Sequence, residues 1–261
     1  MEAYAQKITN ILWFWITNTP PIIIATYIVL FGFVYHALNM LEILFRAKLV
    51  SRRKVHFERI LPEGKKVLFA GDSTAVGTGA YSAEDTLAGR FAHDFPHTSI
   101  NNTAVNGALT IDILKQFEVV KNTQFDLIII STGGNDIWAF KTLRKIRKDL
   151  SMVLEEAIRI SDHRVILVFF GNEGSAPLFP LLIRPLLMRR TAKVNQIFID
   201  VAIEKQVPLV ELFSNKKENP FVENPKKYFA KDRLHPSSDG YWRWYKGIWY
   251  FMTERKYLYN D

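Results

Sequence analysis

Four short segments carry residue types that together could perform acyl transfer: Gly71-Asp72-Ser73, Asn106-Gly107, Gly133-Gly134-Asn135-Asp136 and Asp232-Arg233-Leu234-His235-Pro236. A serine hydroxyl is a weak nucleophile at neutral pH. It needs a base within hydrogen-bond reach, and the base needs a third group to fix its tautomer. Ser73, His235 and Asp232 supply those three parts. Acyl transfer also builds negative charge on the former carbonyl oxygen, which preorganised N–H donors stabilise. Gly107 has no Cβ to keep its backbone from that oxygen, and the Asn135 amide can donate from the other side. Gly77 and Gly79, just behind Ser73, leave its turn exposed.

Every one of these residues has a plainer use. Ser73 after a strand could be a helix N-cap, His235 beside Pro236 a loop histidine, and Asp232 a surface carboxylate paired with Lys231 or Arg233. Asn135 and Asp136 could form an Asx turn capping the next helix, the role expected of Asp136, while Asp72 is expected to buttress the turn. Rival chemistries fail on spacing. Gly71 is not followed by the Gly-Lys-Ser/Thr of a phosphate loop, and Gly77-Thr78-Gly79 lacks a third glycine. His93-Asp94-Phe95-Pro96-His97 has Asp for Glu and a helix-breaking Pro where a zinc helix would need neither. The chain has no cysteine, which removes disulfides, thiolate zinc sites and a cysteine nucleophile together.

The elements that must position these residues alternate regularly beyond Lys66. Strand patterns occupy Val67–Ala70, Ser99–Ala104, Asp126–Ser131, Val165–Phe169 and Pro208–Leu212. Helical patterns occupy Ala83–Asp94, Leu109–Lys121, Leu143–Ile160, Pro185–Lys205 and Ser238–Thr253. Strand and helix in alternation imply a parallel sheet covered on both faces, and the runs LIII and VILVFF are apolar without alternation, as buried parallel strands are. The expected fold is α/β: a flavodoxin-like three-layer sandwich with a five-stranded parallel sheet, preceded by a transmembrane helix. The first three chemical segments fall directly after strands and the fourth before the last helix. Functional residues of such sheets gather at the carboxyl ends of the strands.

This ordered set of four blocks resembles the SGNH hydrolases, the GDSL esterase/lipase family, over about residues 65 to 250. The resemblance implies that Ser73 is the nucleophile, His235 the base and Asp232 its orienting partner. It implies an oxyanion hole formed by the Ser73 amide, the Gly107 amide and the Asn135 side chain, and no metal or organic cofactor. Two positions depart from the family pattern: Thr74 replaces the Leu of the family name, and Ala104 stands where many members have Gly.

The N-terminal region lies outside that resemblance. Residues 8 to 41 contain no Asp, Glu, Lys or Arg, and a membrane crossing needs about 20 apolar residues. Ile22–Leu38 is the most uniform part. Pro20-Pro21 can start a helix there, and Trp13, Phe14 and Trp15 stand where interfacial aromatics belong. A signal peptide should be shorter and end in a small-residue cleavage site, unlike this stretch. Eight Lys or Arg lie between Glu42 and Lys66, and positive residues favour the cytoplasmic side. The expectation is a single-pass protein with an anchor in residues 1–45, a basic juxtamembrane linker in 46–64 and a catalytic domain in 65–261 facing the cytoplasm, with an extracytoplasmic domain as the alternative.

The formal charge of the 261-residue chain is +8, and 48% of its residues are apolar, which excludes a disordered polar chain. The positive excess sits largely beside the span, so it points to membrane headgroups and not to nucleic acid. Pro177–Arg190 is apolar with three Arg and no acid, and Tyr241–Asp261 holds nine aromatics interleaved with basic residues. Both suit a domain lying on a lipid surface. The reading is a membrane-anchored serine esterase acting through an acyl-enzyme on lysophospholipid or other lipid-like esters. The alternatives are an O-acetyl esterase or acyltransferase on a cell-envelope glycan and, third, a non-catalytic lipid- or partner-binding scaffold. The substrate-binding residues and the oligomeric state are not legible.

Overall fold

The computed structural model describes residues 2–51, 55–161, 164–171, 174–212 and 219–254, and the chain divides into two compact units, Met1–Phe45 and Arg46–Asp261. The N-terminal unit holds helix α1, Glu2–Asn18, and most of helix α2, Pro21–Ser51. The charge-free stretch is therefore two helices and not one, because Pro20 and Pro21 cannot continue α1, whereas Pro21 fits the first position of α2. Trp13, Phe14 and Trp15 belong to α1, and of these only the Trp13 side chain is described, as exposed. Within α2, Pro21–Asn39 has a mean hydropathy of 1.9 and is unburied. It is long and apolar enough to cross a membrane.

Of the basic flank, Arg52, Arg53 and Lys54 lie outside the described residues. Residues 46 to 51 continue α2, and Val55, where the described chain resumes, is buried within the larger unit. Arg59 forms an antiparallel bridge with Ile100, and its guanidinium donates to the carbonyls of Ala92, Phe95 and Thr98.

The larger unit is built on a five-stranded parallel sheet. Its elements in chain order are β1 (Lys65–Gly71), α3 (Ser73–Val76), α4 (Leu87–Asp94), β2 (Thr98–Asn102), a 3₁₀ turn (Thr110–Asp112), α5 (Ile113–Val119), β3 (Leu127–Ser131), α6 (Gly134–Trp138) and α7 (Leu143–Ser161). There follow β4 (Val165–Phe169), α8 (Arg184–Glu204), β5 (Leu209–Glu211), the short α9 (Pro220–Glu223) and α10 (Pro225–Tyr228), and α11 (Ser238–Glu254). The strand order is β2-β1-β3-β4-β5, so the direction of winding switches beside β1. That is the flavodoxin-like order, whose switch point opens a crevice at the strands' carboxyl ends.

Successive side chains of a strand point to opposite faces, and this divides the core. Val67, Phe69, Leu127, Ile129, Ile166 and Val168 meet Phe91 of α4 and Tyr241, Trp244 and Ile248 of α11. The intervening Leu68, Ala70, Ile128, Ile130, Leu167 and Phe169 meet Phe117 of α5, Leu150 and Leu154 of α7 and Phe198 of α8. Both faces of the sheet are dry, which explains the unbroken apolar runs of β3 and β4. The helix expected from Ala83 starts only at Leu87, because Thr86 caps it by accepting a hydrogen bond from the Gly89 N–H. The helix expected over Leu109–Lys121 is the 3₁₀ turn followed by α5.

Candidate active site

All five residues singled out from the sequence lie at the carboxyl end of the sheet. Ser73 follows β1, Gly107 follows β2, Asn135 opens α6 after β3, and Asp232 and His235 lie in the loop leading to α11. β1 ends where Gly71, at φ 143°, passes the Ser131 carbonyl so closely that a Cβ would stand 1.9 Å from it. The turn is then set by Asp72, whose Oδ1 accepts from the Thr74 N–H at 2.9 Å and from Thr74 Oγ1 at 2.6 Å. Burial pushes the Asp72 carboxyl up, opposed by the Thr74 bonds and the nearby imidazole. Asp72 is thus the N-cap of α3, and Ser73, half-buried, is its first residue.

Ser73 Oγ lies 2.9 Å from His235 Nε2, and His235 Nδ1 lies 2.6 Å from Asp232 Oδ2. Asp232 is wholly buried, and its other oxygen accepts the backbone N–H groups of Leu234 and His235 at 3.0 and 3.1 Å. Both carboxylate oxygens are therefore occupied, with the second fixing the imidazole. The loop is closed by the Ala230 N–H donating to the His235 carbonyl and by a bridge between Phe229 and Pro236. Arg233 turns it in the left-handed region at φ 62°. The plainer readings of Asp232 as a surface carboxylate and His235 as an isolated loop histidine do not describe this geometry.

Neither the Ser73 N–H nor the Gly107 N–H has a partner among the described residues. Gly107 is exposed at φ 78°, with open space where a Cβ would stand, so its need for glycine is conformational and not a matter of crowding. Asn135 Nδ2 donates one hydrogen bond to the Ala108 carbonyl at 2.9 Å, which ties it to Gly107's neighbour and leaves the second N–H of that amide. Asn135 is half-buried. A serine hydroxyl bonded to an imidazole that is itself bonded to a buried carboxylate, with the N–H groups of Ser73, Gly107 and Asn135 at the same end of the sheet, has the composition that acyl transfer requires.

Asp136 departs from the expected Asx turn. It is wholly buried, and its Oδ2 accepts from the Thr110 N–H at 2.9 Å and Thr110 Oγ1 at 2.7 Å, while its Oδ1 meets Lys141 Nζ at 2.7 Å. Lys141 Nζ also reaches Asp149 Oδ2 at 2.7 Å, and Lys145 completes Asp149 at 2.9 Å. Arg190 of α8 donates from Nε to the Ile137 carbonyl at 2.9 Å and from Nη2 to the Lys141 carbonyl. This charged brace joins the segments carrying Gly107 and Asn135 to α7 and α8.

Other supports were missed from the sequence. Gln116, buried in α5, clamps Gly71 through both its N–H and its carbonyl, each at 2.8 Å. Thr74, the departure from the family Leu, bonds Ser131 Oγ at 2.6 Å and so pins the turn to β3. Ala104, the other departure, packs in a small cluster with Ala75 and Val76. Tyr241 is fully buried, and burial pushes its phenol well above 10, so the hydroxyl stays a donor, here to the Thr78 carbonyl at 2.9 Å. A buried Gln in an apolar helix pattern was the one signal available for Gln116. Gly79 serves the histidine more than the serine: a Cβ there would meet the Pro236 carbonyl oxygen at 2.3 Å and His235 Cβ at 2.9 Å.

Residues 69–243, which contain every residue of this site, match the sequence profile of the GDSL-like lipase/acylhydrolase family. The chain belongs to that family. It is accordingly an ester-hydrolysing enzyme, an esterase or acylhydrolase of the GDSL type. The fold agrees. A lipase/acylhydrolase from Enterococcus faecalis superposes with a TM-score of 0.55 at 21% identity, covering 73% of this chain and 96% of its own. TesA gives 0.57 at 17% identity, covering 72% and 98%. An acetyl xylan esterase gives 0.56 at 18% identity, covering 71% and 98%. No curated protein sequence matches the chain.

Proposed function

We propose that this GDSL hydrolase is a membrane-anchored serine esterase that cleaves lipid-like acyl esters, lysophospholipids among them, through an acyl-enzyme. The observation that carries the reading is the continuous chain Ser73 Oγ, His235 Nε2, His235 Nδ1 and Asp232 Oδ2, with contacts of 2.9 and 2.6 Å. Ser73 Oγ attacks the ester carbonyl carbon as His235 Nε2 takes the hydroxyl proton. The imidazolium that forms is held by Asp232. The carbonyl oxygen becomes an oxyanion facing the N–H groups of Ser73 and Gly107 and the remaining N–H of Asn135. Collapse of the intermediate breaks the bond to the alcohol, which leaves with the proton from His235. Water, deprotonated by the same imidazole, then releases the acid and restores Ser73.

Three things support the lipid-like substrate and the anchor: the unburied apolar Pro21–Asn39 stretch, the basic residues that follow it, and the apolar, cationic segment after β4. The basic flank favours a cytoplasmic catalytic domain, with residues 1–45 as anchor, 46–64 as juxtamembrane segment and 65–261 as catalytic domain. The test is fluorophosphonate labelling of membranes carrying wild type or Ser73→Ala, followed by turnover of esters from acetyl to long acyl. Labelling only of wild type, with kcat/KM rising along the chain length series, is the expected result. A buried methylene contributes about 0.8 kcal/mol, so each added CH₂ should raise kcat/KM about fourfold until the site is filled. Turnover confined to acetyl esters overturns the lipid assignment in favour of glycan deacetylation, and unlabelled folded wild type overturns the serine mechanism.

A further inference from the structure

The segment between β4 and α8 is only partly used by the site. Leu181, Leu182, Ile183 and Leu186 are exposed, Leu182 at 93%. Residues 174 to 199 contain four cations, Arg184, Arg189, Arg190 and Lys193, and no acid. Two of the four are turned to the protein: Arg184 donates to the Phe179 carbonyl, and Arg190 belongs to the brace described above. Arg189 and Lys193 are exposed and have no ion pair among the described residues. They rim a groove of about 820 Å³ whose apolar wall is formed by Phe140, Leu143, Pro185, Leu186 and Met188. Clustered exposed aliphatic side chains of this kind mark an interaction surface.

Two observations place this patch at the mouth of the site. It follows a strand's carboxyl end, as Ser73, Gly107 and Asn135 do. The Leu178 N–H also donates at 3.0 Å to the carbonyl of Arg233, which lies between Asp232 and His235.

We propose that this patch is a docking surface for an anionic bilayer: Leu181, Leu182, Ile183 and Leu186 enter the boundary between headgroups and acyl chains, and Arg189 and Lys193 bind headgroup phosphates. The charge pattern selects lipid over an acidic protein, because the cations flank a bare aliphatic tip and are long enough to reach phosphates above it. A surface this small binds a free bilayer weakly. Joined to a membrane anchor, it engages the bilayer at high effective concentration. The docking rests on the anchoring proposed above, and it turns the mouth holding Ser73 toward the lipid.

The chain has no cysteine, so single-cysteine variants of the full protein accept one environment-sensitive NBD label each. L182C reports the patch and L30C the apolar span. I203C reports the opposite end of the 21-residue α8, about 30 Å along the helix. All three positions are exposed. The proteins are reconstituted in vesicles of phosphatidylcholine alone or with phosphatidylglycerol, and fluorophosphonate labelling of Ser73 is recorded in the same samples. In anionic vesicles the L182C label should shift to the blue and resist iodide quenching, while the I203C label stays wet. An exposed cation at an anionic surface contributes about fivefold, so R189Q with K193Q should lower the docked-to-undocked ratio about 25-fold, and high salt should act alike.

A wet L182C label beside a dry L30C label overturns the docking and leaves the anchor. A wet L30C label beside a dry L182C label removes the anchor and keeps the docking. Equal protection of L182C in phosphatidylcholine alone overturns the assignment to an anionic surface. Loss of fluorophosphonate labelling speaks only against the hydrolase mechanism.

Discussion

Lys141→Met tests how the candidate site is braced. The Lys141 ammonium, 14% exposed, bonds two carboxylates that are wholly buried, Asp136 and Asp149, each at 2.7 Å. Methionine keeps most of the stem and removes the charge. Asp136 then retains the two bonds from Thr110 on Oδ2, and Asp149 retains Lys145 on Oδ1, but one oxygen of each is left bare. Breaking a buried pair costs about 3–5 kcal/mol, and the surviving partners place this case near the lower figure, about 3 kcal/mol. Lys145→Met removes a lysine that is 53% exposed from the same Asp149, and a pair of that kind is worth about 1 kcal/mol or less. The assay is denaturant unfolding of the full chain in detergent, followed by tryptophan fluorescence, with Asp136→Asn and the Asp136→Asn/Lys141→Met double variant closing a cycle. Because the brace holds the segments that carry Gly107 and Asn135, Lys141→Met should also lower kcat more than it raises KM. If Lys141→Met costs no more than Lys145→Met, the buried network does not hold the site and the reasoning fails.

Further outcomes follow from the same geometry. Gly79→Ala forces a Cβ into the space of the Pro236 carbonyl and His235 Cβ at a backbone angle of +101°, and a displaced base of this kind should lower kcat by about 10²-fold, measured on a short ester. Asp232→Asn keeps an acceptor oxygen but allows the wrong imidazole tautomer, so kcat should fall about 10⁴-fold while fluorescence-detected stability changes far less. Stability should have a plateau bounded by the brace. Burial works against charge on both Lys141 and Asp149, but their mutual bonds win, leaving Lys141 above its ordinary 10.5 and Asp149 below its ordinary 3.8. A raised Lys pKa contributes stability that is complete below 10.5 and lost as pH rises through the folded value. A lowered Asp pKa contributes stability that is complete above 3.8 and lost as pH falls through the folded value. Unfolding free energy measured against pH should decline at both ends in wild type, and the alkaline decline should shrink in Lys141→Met.

The strands and the order of the chemical segments were legible because both depend on local chemistry. Val165–Phe169 reads as a buried strand from five apolar residues in a row and is one. Ser73, Asp232 and His235 are residue types that a hydrolytic mechanism demands, so their joint presence narrows the choice without coordinates. The supports were hidden because nothing in a single side chain announces its partner. Asp136 looks like a cap by its place before a helix, yet Thr110, 26 residues earlier, and Lys141, five later, take its oxygens. Gln116 reaches Gly71 across 45 residues. Gly79 was legible as a turn glycine, but the loop it makes room for comes from the far end of the sequence. In the N-terminal region, composition marked residues 8 to 41 as one stretch free of Asp, Glu, Lys and Arg, and the two prolines inside it, legible as a helix start, divide it into two helices.

The hydrogen bond between Ser73 and His235 spans 162 positions of the chain. Ser73 leaves the ribosome early and His235 close to last, after all five strands. Such long-range closure is slow to form and intolerant of partial assembly. A nascent or truncated chain lacking the residues after Glu211 has neither Asp232 nor His235, the groups that Ser73 is linked to in the folded domain. On the proposed mechanism, biogenesis therefore carries its own safety catch, since no intermediate on the way to the finished domain holds the base that Ser73 needs. Reactivity of Ser73 toward a fluorophosphonate becomes, by the same token, a clock for completion of the fold: it should appear only when the last helix has docked and not while the earlier strands assemble.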